Sequence, residues 1–136
     1  MIGLKVEEGL LIKTTPERIF ALYSDIDNWA SWNPAVPQKM APPEGERRTL
    51  ELTTDPSAAI QITRLIPNQA FTVETEILMC IISQEYELFA SPLGTYTTHR
   101  VVFTGWLSPL YFLLLNMKMR KMLKESLQGL KRAAEY

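Results

Sequence analysis

The sequence predicts an α+β fold in which an antiparallel sheet of about six to seven strands packs against one long C-terminal helix. Short segments with a period of two fill residues 47–103, and one long segment with a period of 3.6 runs from Pro109 to Tyr136. Strands that follow one another without intervening helices favour an antiparallel meander. The apolar face of such a sheet needs a cover, and the terminal helix is the only long apolar stripe available.

Length and composition indicate one soluble domain over residues 1–136. The chain is 46% hydrophobic and 21% charged with a net charge of −1, so no basic excess points to nucleic acid. The single cysteine, Cys80, excludes an intramolecular disulfide and fits a reducing compartment. Charges near the N-terminus argue against a secretion signal, and the longest apolar run is too short to cross a bilayer. We expect a cytoplasmic protein without a transmembrane segment.

The first part of the chain is expected to hold one strand, two short helical pieces and a loop. Residues 4–14 alternate as a strand whose inner face includes the carboxylate of Glu8. Thr15 is a suitable N-cap for a helix that starts at the following proline. The tryptophan-rich segment 27–34 predicts a second helical turn, and the proline-rich stretch 35–46 is typical of a loop or sheet edge.

The period of two then predicts strands separated by turns rich in proline, asparagine and glycine. Their predicted spans are 47–54, 59–66, 70–79, 80–90 and 95–103. The third and fourth of these spans carry glutamates on one parity, which we assign to a solvated outer face: Glu74, Glu76, Glu85 and Glu87.

The terminal helix is predicted from Pro109 to Tyr136, with Ser108 as its N-cap. At 100° per residue, an apolar inner stripe runs the length of this segment, and a charged face lies opposite its second half. A helix of this length extends for about 39 Å, so its stripe needs a broad surface such as a sheet.

The outer face of this helix is apolar over its first turns. Leu110, Leu114 and Met117 point away from the inner stripe, and positive charges begin only at Lys118. Three explanations stay open for this surface: coverage by the 35–46 loop, contact with a second copy, or transient contact with a membrane or an acidic partner. A non-catalytic interaction module would act through this surface.

The chain resembles the START-like helix-grip superfamily in its order of elements and in the segments TTPERIFALYSDIDNWASWNP, SPLGTYT and LKRAAE. More narrowly, it resembles the polyketide cyclase/dehydratase and lipid transport group. The resemblance covers essentially the whole chain. It implies a curved sheet gripping the long helix with an apolar cavity between them. It does not imply a particular ligand, because one fold hosts many functions.

In that arrangement, the inner residues of the first half of the helix and the strand residues facing them would line the cavity. A mostly apolar lining with a few polar groups is usual for a small-molecule site. The predicted ligand-binding residues are Trp32 near the mouth, Phe71, Val73, Ile82, Gln84, Tyr86, His99, Val101, Phe103, Phe112, Leu115, Asn116 and Met119. The alternative is that these side chains simply pack the core.

His99 is the only histidine and lies on the inward parity of its strand. It could act as acid or base in a cyclase, dehydratase or hydrolase, assisted by Glu8 or Tyr86, or it could be a buried, hydrogen-bonded core residue. The sequence contains no Ser–His–Asp order, nucleotide-binding glycine loop or metal-spaced His/Cys cluster, so we expect no cofactor and no metal. Binding or carriage of a hydrophobic or amphipathic small molecule or lipid is the favoured function.

Overall fold

The computed structural model describes residues 4–25, 29, 31–33 and 61–135. In this part of the chain the elements are β1 (Leu4–Ile12), α1 (Pro16–Ser24), β2 (Gln61–Ile66), β3 (Ala70–Ile77), β4 (Cys80–Ser91), β5 (Gly94–Thr104) and α2 (Ser108–Glu135). The five described strands form one antiparallel sheet in the order β1-β5-β4-β3-β2. The α+β class and the meander from β2 to β5 are confirmed.

The first predicted helix cap is confirmed and the second is displaced. The Thr15 hydroxyl accepts a hydrogen bond from the backbone N–H of Arg18 at 3.4 Å, which satisfies one donor of the first turn of α1. Ser108 is the first residue of α2 rather than its cap. The carbonyl oxygen of Leu107 accepts the bond from the N–H of Tyr111 at 3.0 Å, so the helix begins one residue earlier than predicted.

The tryptophan-rich segment forms a helical turn where the structure describes it. The backbone N–H groups of Trp32 and Asn33 both donate to the carbonyl oxygen of Trp29, at 3.1 and 2.8 Å. The rest of this predicted turn, the 35–46 loop and the strand predicted over 47–54 lie outside the described residues. The described part of the chain therefore holds five strands, against the larger number predicted.

The two faces of the sheet differ as the period of two predicts. On β5, the inward residues are all 0% exposed: Thr95, Thr97, His99, Val101 and Phe103. Side chains between them face the opposite side and are half-buried or exposed. Alternation along this strand therefore separates a core face from an outer face.

Arg100 links three strands on the outer face. Its guanidinium contacts Glu7 of β1 at 2.5 Å, and Glu85 and Glu87 of β4 at 2.7 and 2.9 Å. Arg100 stands directly opposite Glu7 and Glu85 in the strand register, which places the charges within reach. The outer position of Glu85 and Glu87 is confirmed, but these carboxylates are ion-paired rather than simply solvated.

Helix α2 crosses the inner face of the sheet and packs chiefly on β1 and β5. Its second half is more deeply buried than its first, and the buried residues there are Leu123, Ser126, Leu127, Gly129, Leu130 and Ala134. Among the residues described, neither helix combines the length and the apolarity needed to span a membrane.

Candidate functional site

The core beneath α2 divides into two apolar clusters. The aromatic cluster lies between α1, the sheet and the second half of α2, and its rings are Phe20, Tyr23, Trp32, Phe71 and Tyr86, with Trp29 packed against them. The helix-start cluster lies nearer the first half of α2 and consists of Val6, Cys80, Val101, Phe103 and Leu123. The apolar residues of the predicted ligand-binding set are therefore distributed over these two clusters and the side chains packed against them.

Rings fill the aromatic cluster closely. Phe71 and Tyr86 stack with centroids 4.3 Å apart and planes 9° apart, and Tyr23 meets Phe71 edge-on at a centroid distance of 4.9 Å. Tyr23 and Phe71 are fully buried. Trp32, which was predicted near the mouth of a cavity, is only 3% exposed and therefore lies inside the core.

His99 forms a buried hydrogen-bond chain that joins α1, β5 and α2. Its Nε2 lies 2.8 Å from Tyr23 Oη, and its Nδ1 lies 2.9 Å from Ser126 Oγ. The Ser126 hydroxyl donates to the carbonyl oxygen of Leu123 at 2.9 Å. Because that hydroxyl has only one hydrogen, Nδ1 of His99 must donate to Ser126. Nε2 then accepts from the Tyr23 hydroxyl, and every group in the chain is satisfied.

Burial holds this chain in its uncharged form. It lowers the pKa of His99 from 6.5 to about 3. Burial, with a further contribution from neighbouring Tyr86, raises the pKa of Tyr23, and burial also raises the pKa of Tyr86. A neutral ring whose two nitrogens already bond to protein groups is poorly placed to exchange a proton with a substrate.

The predicted partners of His99 direct their polar groups elsewhere. Glu8 is the register partner of His99 on β1, yet its carboxylate accepts a hydrogen bond from Arg120 of α2 at 3.0 Å. The Tyr86 hydroxyl donates to Oε1 of Gln84 at 2.8 Å. The ring of Tyr86 does meet the ring of His99 edge-on, with centroids 4.7 Å apart. The structure therefore unites Tyr86 and His99 by packing and directs Glu8 toward α2.

The two residues that do hold His99 were missing from the predicted site. Tyr23 lies on the buried face of α1, and Ser126 lies on the buried face of α2. Both were detectable in principle, because a buried hydroxyl on an apolar face needs a hydrogen-bond partner. Periodicity alone does not reveal that their partner is the single histidine.

Half-buried apolar side chains surround the helix-start cluster. We call them the inner rim, and they are Ile77, Ile82, Tyr111, Phe112, Leu115, Met119 and Met122. They come from β3, β4 and the first half of α2. The Phe112 ring meets Phe103 edge-on at a centroid distance of 6.0 Å, so the rim packs directly on the buried cluster. An apolar surface between helix and sheet thus stays partly open to solvent.

The predicted site residues therefore have different surroundings. Ile82, Phe112, Leu115 and Met119 belong to the inner rim, and Val101 and Phe103 lie beneath it. Phe71, Val73, Tyr86 and Trp32 belong to the aromatic cluster. The Asn116 amide donates to the carbonyl oxygens of Phe112 and Leu113, at 2.8 and 3.2 Å, so its N–H group bonds to its own helix.

Two observations bear on polar and metal ligands. Within the described residues, the indole N–H of Trp32 is the one buried side-chain polar group without a hydrogen-bond partner. The same part of the chain contains no group of three or more His, Cys, Asp or Glu side chains that could hold a metal ion. The polar chemistry of the described core therefore rests on hydroxyl, amide, imidazole and indole groups.

Comparison with known proteins gives one family match. The family described as polyketide cyclase / dehydrase and lipid transport matches residues 4–135. A search of the curated proteins finds no match.

Solved structures share the fold at low sequence identity. An aromatase/cyclase from a Streptomyces species has a TM-score of 0.67 at 11% identity, over 98% of this chain and 94% of that one. A protein from Chromobacterium violaceum has a TM-score of 0.65 at 15% identity, over 97% of each chain. The Aha1 dimer from Colwellia psychrerythraea has a TM-score of 0.60 at 18% identity, over 97% of this chain and 96% of that one. These similarities show the helix-grip fold.

Proposed function

Because the chain belongs to the polyketide cyclase/dehydrase and lipid transport family, we propose that it binds a hydrophobic or amphipathic small molecule between the sheet and the first half of α2. The observation that carries this proposal is the inner rim, whose apolar side chains stay half-buried against a fully buried cluster. A ligand seated there would remove apolar surface from water, which is the main driving force for binding such molecules.

The surroundings of His99 favour binding over acid–base catalysis by this residue. Both ring nitrogens bond to protein groups, and burial lowers the pKa to about 3. A general acid or base works best with a pKa near the operating pH. Under this proposal His99 is a structural residue that fixes α1 and α2 to the sheet.

The inner rim can be tested with two substitutions on adjacent residues of α2. Leu115 is half-buried in the rim, whereas Leu114 faces solvent and is 68% exposed. We expect Leu115→Gln to weaken binding of the fluorescent probe anilinonaphthalene sulfonate by about tenfold, because burial of a leucine side chain contributes about 1.5–3 kcal/mol. Leu114→Gln should leave the affinity unchanged.

Fluorescence titration of both variants and the unaltered protein measures this difference. Equal affinities for all three proteins would place the probe elsewhere and contradict the proposed site. Thermal melting of each variant provides the folding control, since both substitutions exchange the same residue types on one helix.

A further inference from the structure

One end of the molecule exposes large apolar side chains that belong to neither core cluster. We call it the apolar end, and its residues are Met79 in the β3–β4 turn, Trp106 before α2, and Leu110, Leu113, Leu114 and Met117 on α2. Trp106 is 85% exposed and Met117 is 82% exposed. The N–H of Leu107 donates to the carbonyl oxygen of Met79 at 3.0 Å, so the turn and the start of the helix adjoin.

The outer stripe of α2 changes from apolar to basic along its length. Its leucines and Met117 follow the i, i+3, i+4, i+7 spacing of a single helix face. Lys121 and Lys124 continue the same face over the next two turns. Before Glu125, all the charged residues of α2 are positive. The apolar end is therefore bordered by cations on its own helix.

Among the cations at this end of α2, the described ion pairs involve Arg120 and Lys121. Arg120 pairs with Glu8 at 3.0 Å, and Lys121 lies 3.9 Å from Glu125. In the part of the chain that the structure describes, Lys118 and Lys124 form no ion pair. An external anionic surface would complement these lysines directly beside the exposed leucines.

We propose that the apolar end docks on an anionic lipid bilayer. Trp106 and the exposed leucines enter the boundary between headgroups and acyl chains, and the lysines contact the anionic headgroups. Tryptophan favours this boundary because its ring is apolar and its N–H is polar. Apolar burial and attraction to anionic lipid then act together, as in amphipathic helices that bind membrane surfaces.

The dimensions of α2 fix the orientation of this contact. Leu110 and Lys121 are separated by about 16 Å along the helix axis, whereas interfacial helices insert their apolar faces by about 5–10 Å. The helix must therefore tilt, with its N-terminal end deepest and the lysines at headgroup level. Docking would also bring the inner rim next to the bilayer. Only this last consequence rests on the proposed ligand site.

A second copy of the chain fits the same surface less well. A two-fold contact uses the same patch on both copies. It would place the lysines either opposite lysines or against the apolar residues of the other copy. Neither arrangement neutralises Lys118 and Lys124. An anionic bilayer, in contrast, buries the apolar side chains and neutralises the lysines in the same contact.

Co-sedimentation with lipid vesicles tests the docking. The protein should bind vesicles of equal phosphatidylcholine and phosphatidylserine at least about tenfold more strongly than vesicles of phosphatidylcholine alone. The double variant Leu113→Glu/Leu114→Glu should weaken that binding by about a hundredfold. Lys118→Glu/Lys124→Glu should remove the preference for anionic vesicles.

The opposite end of the β4–β5 hairpin supplies a matched control. Phe89 and Leu93 are 73% and 77% exposed there, so Phe89→Glu/Leu93→Glu makes the same kind of change away from the apolar end. Vesicle binding of this variant should not change, and all variants should keep their melting temperatures. A blue shift in emission on vesicle binding should disappear in Trp106→Phe.

Three results would overturn the proposal. The first is that the protein binds anionic and neutral vesicles equally well. The second is that the control variant Phe89→Glu/Leu93→Glu loses as much vesicle binding as Leu113→Glu/Leu114→Glu. The third is that light scattering shows a dimer that Leu113→Glu/Leu114→Glu dissociates. Probe binding reports on the inner rim separately. A Leu113→Glu/Leu114→Glu protein that still binds anilinonaphthalene sulfonate distinguishes failure of the docking from failure of the ligand site.

Discussion

Lowering the pH from 7 to about 5 is expected to reduce the free energy of unfolding by about 2 kcal/mol through His99 alone. The unfolded chain takes up a proton at this residue as the pH falls through 6.5, but the folded protein does so only near its pKa of about 3. Proton uptake in this window therefore favours the unfolded state. The stabilisation is complete above pH 6.5 and is lost progressively below it.

This range is suited to the measurement because ordinary carboxylates remain ionised above about pH 5. Urea unfolding at several pH values measures how the free energy of unfolding changes with pH. The sole histidine gives one set of imidazole signals in NMR, and these signals should not titrate between pH 8 and about 5 in the folded protein. Nitrogen shifts should show the hydrogen on Nδ1, as the bond to Ser126 requires. A titration near pH 6.5 would contradict the buried chain.

Replacing Gly129 with alanine is expected to destabilise the protein by about 3 kcal/mol, although alanine normally favours a helix over glycine by about 1 kcal/mol. A Cβ at this position would lie 1.8 Å from the carbonyl oxygen of Trp32 and 2.9 Å from its carbonyl carbon. Both atoms belong to the backbone, so the clash cannot be relieved by rotating a side chain. The turn that carries Trp32 would have to separate from α2.

Gln128→Ala is the matched control, because Gln128 precedes Gly129 and faces solvent. Its effect should be within about 0.5 kcal/mol of zero. Urea unfolding of both variants provides the comparison. If Gly129→Ala were as stable as the unaltered protein, the close contact between α2 and the tryptophan turn would be wrong.

The sequence was sufficient to predict the faces of the strands and the long helix. Alternation along β5 placed His99, Val101 and Phe103 on the inward face of the sheet, and all three are 0% exposed. Side chains of period two must alternate between faces, so burial follows from parity once the strand is recognised. The cap at Thr15 followed from equally local rules.

Contacts between distant segments could not be predicted in the same way. Tyr23 and His99 are 76 residues apart, and their hydrogen bond depends on how α1 packs over the sheet. The contact of Gly129 with Trp32 likewise depends on the separation of two elements, which periodicity does not specify. The register of β1 and β5 set Glu8 opposite His99, but only the path of α2 explains its bond to Arg120.

The exposed part of α2 was only partly predicted. Leu110, Leu114 and Met117 were expected on the outer face, and all three are exposed. Leu113 and Trp106 were missed, although they are 73% and 85% exposed. An apolar residue at the margin of a stripe can belong to either face, because its final burial depends on how far the neighbouring strands extend.

The proposed ligand site can be tested most directly through the methionine methyl groups. Met119 and Met122 belong to the inner rim, whereas Met79 and Met117 belong to the apolar end and are 63% and 82% exposed. In protein labelled at these methyls, titration with dodecanoate below its micelle concentration should shift the NMR signals of Met119 and Met122 to saturation and leave the other two unchanged. Saturable shifts confined to Met79 and Met117, or no shifts at all, would contradict binding between the sheet and the first half of α2.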